Sequence, residues 1–204
     1  MNCGTILPQK RKSWRFPAIY ATNLIMERET MVTVRNDVFK LGDKFATLLG
    51  DEVKVGDAAP EFTSVVPGWA PVNPLQESKG KVIILSAVPS LDTDVCDRET
   101  RRFNEEASKL GDDIIIYTIS TDFPMAQKRW CGAAGVDKVK VVSDVLEAEF
   151  GIKYGILIKE RRFLRRSVFI VGRDGKLTYV NYLPALGEEP NYDEVIAEAK
   201  KALG

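Results

Sequence analysis

The sequence predicts an α/β fold in which a central mixed sheet is flanked by helices and preceded by an N-terminal β-hairpin extension. Three observations predict it. Strand-like and helical segments alternate through the middle of the chain. The central strands are continuously apolar, as parallel strands buried on both faces are. The chain then closes on a hairpin followed by an amphipathic helix.

The elements follow in order. Residues 1 to about 30 carry Lys10, Arg11, Lys12 and Arg15 with no acidic residue before Glu27, and no helical or strand period. They read as a disordered basic extension. A secretory signal needs an unbroken apolar stretch, and Pro17, Thr22 and Asn23 interrupt this one. An organellar transit peptide or an upstream start accounts for it equally, with Met26 and Met31 as alternative starts, and Cys3 receives no role. From residue 31 the pattern becomes regular and reads as one domain to residue 204. Val32 to Val34 and Val38 to Leu41 form a hairpin about Arg35-Asn36-Asp37. Glu61 to Val66 is a strand, followed by a loop holding Pro67, Gly68, Pro71 and Pro74. Lys81 to Val88 is a buried strand, Thr93 to Leu110 a helix, Asp113 to Ser120 a strand and Pro124 to Gly132 a helix. Lys138 to Ser143 is a strand with a short helix, Val145 to Phe150, after it. Arg166 to Gly172 and Leu177 to Leu183 flank the hairpin turn Arg173-Asp174-Gly175-Lys176, and Tyr192 to Leu203 closes the chain as a helix. This is the element order of a thioredoxin-like fold.

Composition excludes several function classes. The 204 residues carry 29 basic and 29 acidic side chains, so the chain lacks the basic excess that nucleic acid binding needs. No apolar run is long enough to span a bilayer, so no membrane partner is expected. With no histidine at all, Ser-His-Asp and Cys-His catalysis are removed and no metal or other cofactor is expected. Three cysteines are too few for a disulfide framework and suit a reducing compartment, so a cytoplasmic location is expected.

Chemistry concentrates at Cys96. The run Pro89-Ser90-Leu91-Asp92-Thr93-Asp94-Val95-Cys96 follows a buried strand and opens a helix. A thiol in a helix's first turn meets the positive end of the dipole and unpaired N–H groups, which favour thiolate over thiol. A small buried apolar residue is the structural alternative for a lone cysteine.

The run P-x-x-x-T-x-x-C at Pro89, Thr93 and Cys96 resembles the active-site motif of peroxiredoxins. The form Pro89-Ser90-Leu91-Asp92-Thr93 with Val95-Cys96-Asp97 is similar to that of the thiol peroxidase subfamily of atypical two-cysteine peroxiredoxins. Further matching blocks are Thr100 to Ala107, Ala126 to Cys131, Arg166 to Phe169 and Glu189 to Asp193, so the resemblance covers nearly everything after residue 31. It implies a thiol-dependent peroxidase that reduces hydrogen peroxide and organic hydroperoxides. Cys96 is then the peroxidatic cysteine, Thr93 a hydrogen-bond partner of sulfur and peroxide, Pro89 a shield from bulk water and Arg166 the completing cation. Thr93 also suits an N-cap. Arg161, Arg162, Arg165 and Arg166 crowd together, and strand alternation sends Arg165 and Arg166 to opposite faces.

The same resemblance implies that Cys131 is the resolving cysteine, which closes an intramolecular disulfide with Cys96 that a thioredoxin-type reductant reopens. A buried core cysteine is the alternative for Cys131. Closing a loop between residues 96 and 131 supplies roughly 3 to 4 kcal/mol of chain-entropy constraint. A thiol in one helix's first turn is not expected within about 7 Å, Cα to Cα, of a thiol on the next helix, so the start of the Thr93 helix and the Cys131 region are expected to unwind. A homodimer is also implied. Asp97, Arg98 and Glu99 follow Cys96, so there is no C-x-x-C. Arg101 stands where the bacterioferritin-comigratory type often resolves, and nothing after Cys131 suits a C-terminal resolving cysteine. Asp94 departs from the Pro or other small uncharged residue the family commonly has there; in the first turn it would stabilise the helix, whereas facing the sulfur it would oppose thiolate. A redox sensor whose disulfide switches binding shares every residue with the peroxidase, and only turnover separates the two.

Overall fold

The computed structural model describes residues 31–204. The basic extension and Cys3 lie outside the described residues. Residues Val32–Gly204 form one compact unit.

The first strand, β1 (Val34–Leu41), pairs antiparallel with β2 (Lys44–Leu49) about Gly42 and Asp43. The expected turn at Arg35-Asn36-Asp37 is instead a bulge within β1, where the register shifts between Arg35 and Phe39 and Asp37 takes a left-handed φ of 56°. The true turn uses Gly42, at φ 67°, where a side chain would be strained. The expected strand from Glu61 shortens to β3 (Ser64–Val66), and the expected proline loop is β4 (Ala70–Val72) followed by α1 (Pro74–Glu77). Pro71 is tolerated because β4 is an edge strand, and Pro74 because it opens a helix where no N–H partner is needed. Asn73 caps α1 by accepting from the Leu75 and Gln76 N–H groups.

The centre runs as expected, with the other ends trimmed and α3 two residues longer than expected: β5 (Val82–Ala87), α2 (Asp94–Ala107), β6 (Ile114–Ser120), α3 (Pro124–Ala134) and β7 (Lys140–Ser143). The short helix expected at Val145 to Phe150 is displaced to α4 (Glu149–Lys153). Ala148 turns left-handed before it, and the Asp144 carboxylate accepts from the Phe150 and Gly151 N–H groups, which sets the helix start. Two short strands that the sequence reading lacks, β8 (Leu157–Ile158) and β9 (Phe163–Leu164), extend the first hairpin into a sheet of order β1-β2-β8-β9. β10 (Ser167–Val171), β11 (Leu177–Tyr182) and α5 (Tyr192–Lys201) close the chain.

The main sheet has the order β11-β10-β5-β6-β7-β3-β4. It is mixed: β5, β6 and β7 are mutually parallel, whereas β10 is antiparallel to β5. Strand alternation sends Ile83, Leu85 and Ala87 into a core with Phe62, Phe150, Tyr154 and Phe169. Val82 and Ile84 face the opposite core, with Phe103 of α2 and Val195 and Ala199 of α5. Both faces of β5 are therefore covered, which accounts for its unbroken apolar run. Ser86 also points to the α2 face, and that polar position marks the site.

Candidate active site

The segment from β5 to α2 is shaped by one carboxylate. Asp122, just after β6, accepts from Ser90 Oγ through Oδ1 at 2.8 Å and from the Leu91 N–H through Oδ2 at 2.8 Å. Ser120 Oγ adds a third bond to Asp122 Oδ2 at 2.8 Å. With its backbone so held, the chain passes the buried Pro89 and enters α2 at Thr93, whose φ of −106° and ψ of 144° are those of an N-cap.

Thr93 holds the N-cap position without capping through its side chain. Its Oγ1 lies 3.0 Å from Ser90 O and 2.8 Å from Cys96 Sγ. A hydroxyl has one proton, so it donates either to the carbonyl or to the sulfur, and a thiolate takes that proton as a charge-assisted bond. The sulfur side chain is fully buried, packed with Val88, Leu91 and Trp130.

A second donor arrives from the far end of the chain. Arg166, 1% exposed and directly before β10, sends Nη2 to Cys96 Sγ at 3.2 Å. Its Nε and Nη2 also donate to Leu186 O at 3.1 and 2.9 Å, and Nη1 pairs with Glu99 Oε2. Burial works against the Arg166 charge, but Glu99 and Cys96 outweigh it and the guanidinium pKa is raised. Glu99 lies one turn beyond Cys96, fully buried, and accepts from Ser86 Oγ at 2.7 Å. Burial raises its pKa, with Arg166 and Ser86 pulling the other way. Arg165 points away, donating to Leu183 O at 3.0 Å and stacking over Phe39 and Tyr182, as strand alternation requires.

Asp94 is exposed in the first turn of α2, together with Asp97. There both carboxylates favour the helix through its dipole. Cys131 lies within α3, which runs past the expected end at Gly132 to Ala134 before Gly135 terminates it at φ 68°. The thiol is half-buried, burial pushes its pKa up, and both Cys96 and Cys131 are unbonded thiols. Among the described residues there is no metal-binding cluster of His, Cys, Asp or Glu, and no helix is long and apolar enough to cross a membrane.

The structure thus brings Thr93, Cys96 and Arg166 together, with Pro89 in the preceding loop and Cys131 on the neighbouring helix. Sequence reasoning missed Glu99 and Asp122. The signal for Glu99 was its place on the inner face of α2, which buries Cys96, Glu99, Thr100 and Phe103 at helical spacing. An ionisable residue on that face calls for a buried partner.

A family profile described as Redoxin matches residues 54–196. The thiol peroxidase of Bacillus subtilis is 54% identical over 157 residues, covering 77% of this chain and 92% of the relative. That of Halalkalibacterium halodurans is 49% identical, covering 77% and 93%. Among solved structures, a peroxiredoxin-like protein from Aquifex aeolicus superposes with a TM-score of 0.74 at 37% identity, over 84% of this chain and 98% of that one.

Proposed function

The chain belongs to the redoxin family as a thiol peroxidase of the peroxiredoxin type, a thiol-dependent oxidoreductase acting on hydroperoxides, and from that premise we propose a two-cysteine cycle that runs through Cys96 and Cys131. The Cys96 thiolate attacks one oxygen of the hydroperoxide: an S–O bond forms, the O–O bond breaks, and the other oxygen leaves as alcohol or water after taking a proton. Cys96 becomes a sulfenic acid. The Cys131 sulfur then attacks Cys96 Sγ, forming the S–S bond and releasing water. A thioredoxin-type dithiol exchanges with this disulfide, returning both thiols and becoming oxidised itself.

The observation that carries the proposal is the convergence of Thr93 Oγ1, at 2.8 Å, and Arg166 Nη2, at 3.2 Å, on the Cys96 sulfur. Both are donors, so both can follow the sulfur and the peroxide oxygens as charge develops. The first-turn N–H groups of α2, left uncapped by Thr93, are further donors for the leaving oxygen. The buried Pro89 keeps water from the sulfur. The same proposal includes a catalytic domain spanning residues 31 to 204 behind a basic extension, a homodimer, and work in the reducing cytoplasm.

Peroxide consumption coupled to thioredoxin, thioredoxin reductase and NADPH tests the cycle. Cys96→Ser is expected to abolish turnover, and Cys131→Ser to stop after one oxidising equivalent with a trapped sulfenic acid. Full turnover by either variant in the coupled assay rules the cycle out. One equivalent consumed by the parent, with no turnover under any dithiol, would make the chain a sensor instead.

A further inference from the structure

The residues that flank the two cysteines hold each other. Asp97 follows Cys96 in α2 and Trp130 precedes Cys131 in α3, and the Trp130 indole N–H donates to Asp97 Oδ1 at 3.1 Å. The other oxygen, Oδ2, accepts from Arg101 Nε at 2.8 Å. Arg101 Nη1 in turn donates to Ala134 O at 2.7 Å, and its guanidinium lies 5.7 Å from the centre of the Trp130 ring. Trp130 also packs against Val88, Leu91 and Cys96. Three side chains therefore tie the start of α2 to the end of α3.

We propose that Asp97, Trp130 and Arg101 are positioning residues for the resolution step, a latch whose opening precedes disulfide formation and whose strength sets the fate of the sulfenic acid. The inference rests on the Cys96–Cys131 cycle above. Cys96 is fully buried, so its sulfur has to leave its cluster to be reached by Cys131. The turn that carries it carries Asp97 at the next position. Moving that turn draws the carboxylate from the indole, and a bond of this kind is lost once the heavy atoms separate beyond about 3.5 Å. A solvent cleft of about 440 Å³ borders Thr93, Asp94, Asp97 and Trp130, so the freed turn has space beside it.

While the latch is closed the sulfenic acid waits. It then has two exits. Attack by Cys131 forms S–S and releases water, whereas a second hydroperoxide transfers an oxygen to sulfur, breaking its O–O bond, leaving as alcohol or water and producing a sulfinic acid. A weaker latch favours the first exit.

Asp97→Asn removes the charge from the latch, and Trp130→Phe removes the N–H donor while keeping a ring against the Cys96 cluster. In each variant, rapid mixing with acid quench and mass analysis gives the rates of sulfenic acid formation and of disulfide formation in one sample. The expected ratio of resolution to first oxidation rises about tenfold on loss of one charge-assisted bond, and the peroxide concentration that half-inactivates the enzyme rises in step. Arg101→Gln gives a milder change in the same direction. Unchanged or lower ratios in Asp97→Asn and Trp130→Phe overturn the latch. Cys131→Ser is the separate control: turnover at the parental rate in that variant defeats the cycle itself rather than the latch.

Discussion

The two cysteines of the folded chain occupy opposite environments. Cys96 is sealed from solvent yet meets two polar side-chain donors, while Cys131 is half open to water and has burial as the larger influence on its thiol, pushing it toward the protonated form against a weaker backbone hydrogen bond. Exposure therefore does not identify the reactive sulfur; directed hydrogen-bond donors do. Positive charge is delivered to Cys96 by Arg166, directly before β10 and held in place by Glu99 one turn along α2, and nothing equivalent reaches Cys131 among the described residues.

The largest change to this contrast comes from Arg166→Gln. Loss of the cationic donor is expected to slow sulfenic acid formation by about 10²–10³-fold in stopped-flow competition against a reference peroxidase. It also strands Glu99 in the core, costing roughly 3 to 5 kcal/mol in urea unfolding. A variant that keeps parental rates would mean Arg166 serves Glu99 and not the sulfur. Thr93→Val comes next, at roughly ten- to a hundredfold slower oxidation, with Thr93→Ser close to the parent because it keeps the hydroxyl. Equal losses in the two variants would assign the effect to packing.

Asp122→Asn probes the loop rather than the sulfur. It weakens three hydrogen bonds at once, and about 1 to 3 kcal/mol of stability is expected to go. The smallest effect concerns the other cysteine. Burial raises the Cys131 pKa, so in the folded Cys96→Ser variant its thiolate fraction grows with pH. Its alkylation rate by iodoacetamide is expected to go on climbing with pH past the point where an unperturbed cysteine levels off. A plateau near neutral pH would show that Cys131 is also activated, and the contrast would collapse.

The chemistry was more legible than its surroundings. Pro89, Thr93 and Cys96 lie within eight positions of one another, so their meeting depends on a single strand-to-helix turn that local pattern reveals. Arg166 is 70 residues from Cys96, and only strand alternation and family resemblance separated it from Arg165. Glu99 was hidden because helical periodicity marks a face and not the partner a charge finds there. The N-terminal hairpin was misplaced because Asn36 and Asp37 suit a turn and a bulge equally, and the choice was made by the pairing of Phe39 with Ala46 across Gly42. Two-residue strands such as β8 and β9 carry too little sequence to show a period at all.

Thr93 sits at the cap of α2 but turns its hydroxyl toward the Cys96 sulfur and the Ser90 carbonyl and not toward the helix's free N–H groups. A capping side chain supplies about 1 kcal/mol, and forgoing it makes the first turn fray roughly fivefold more often than a capped turn would. The residue that prepares the thiol thus also softens the ground beneath it. In this chain a reactive sulfur and an easily opened helix end are one choice of side-chain rotamer.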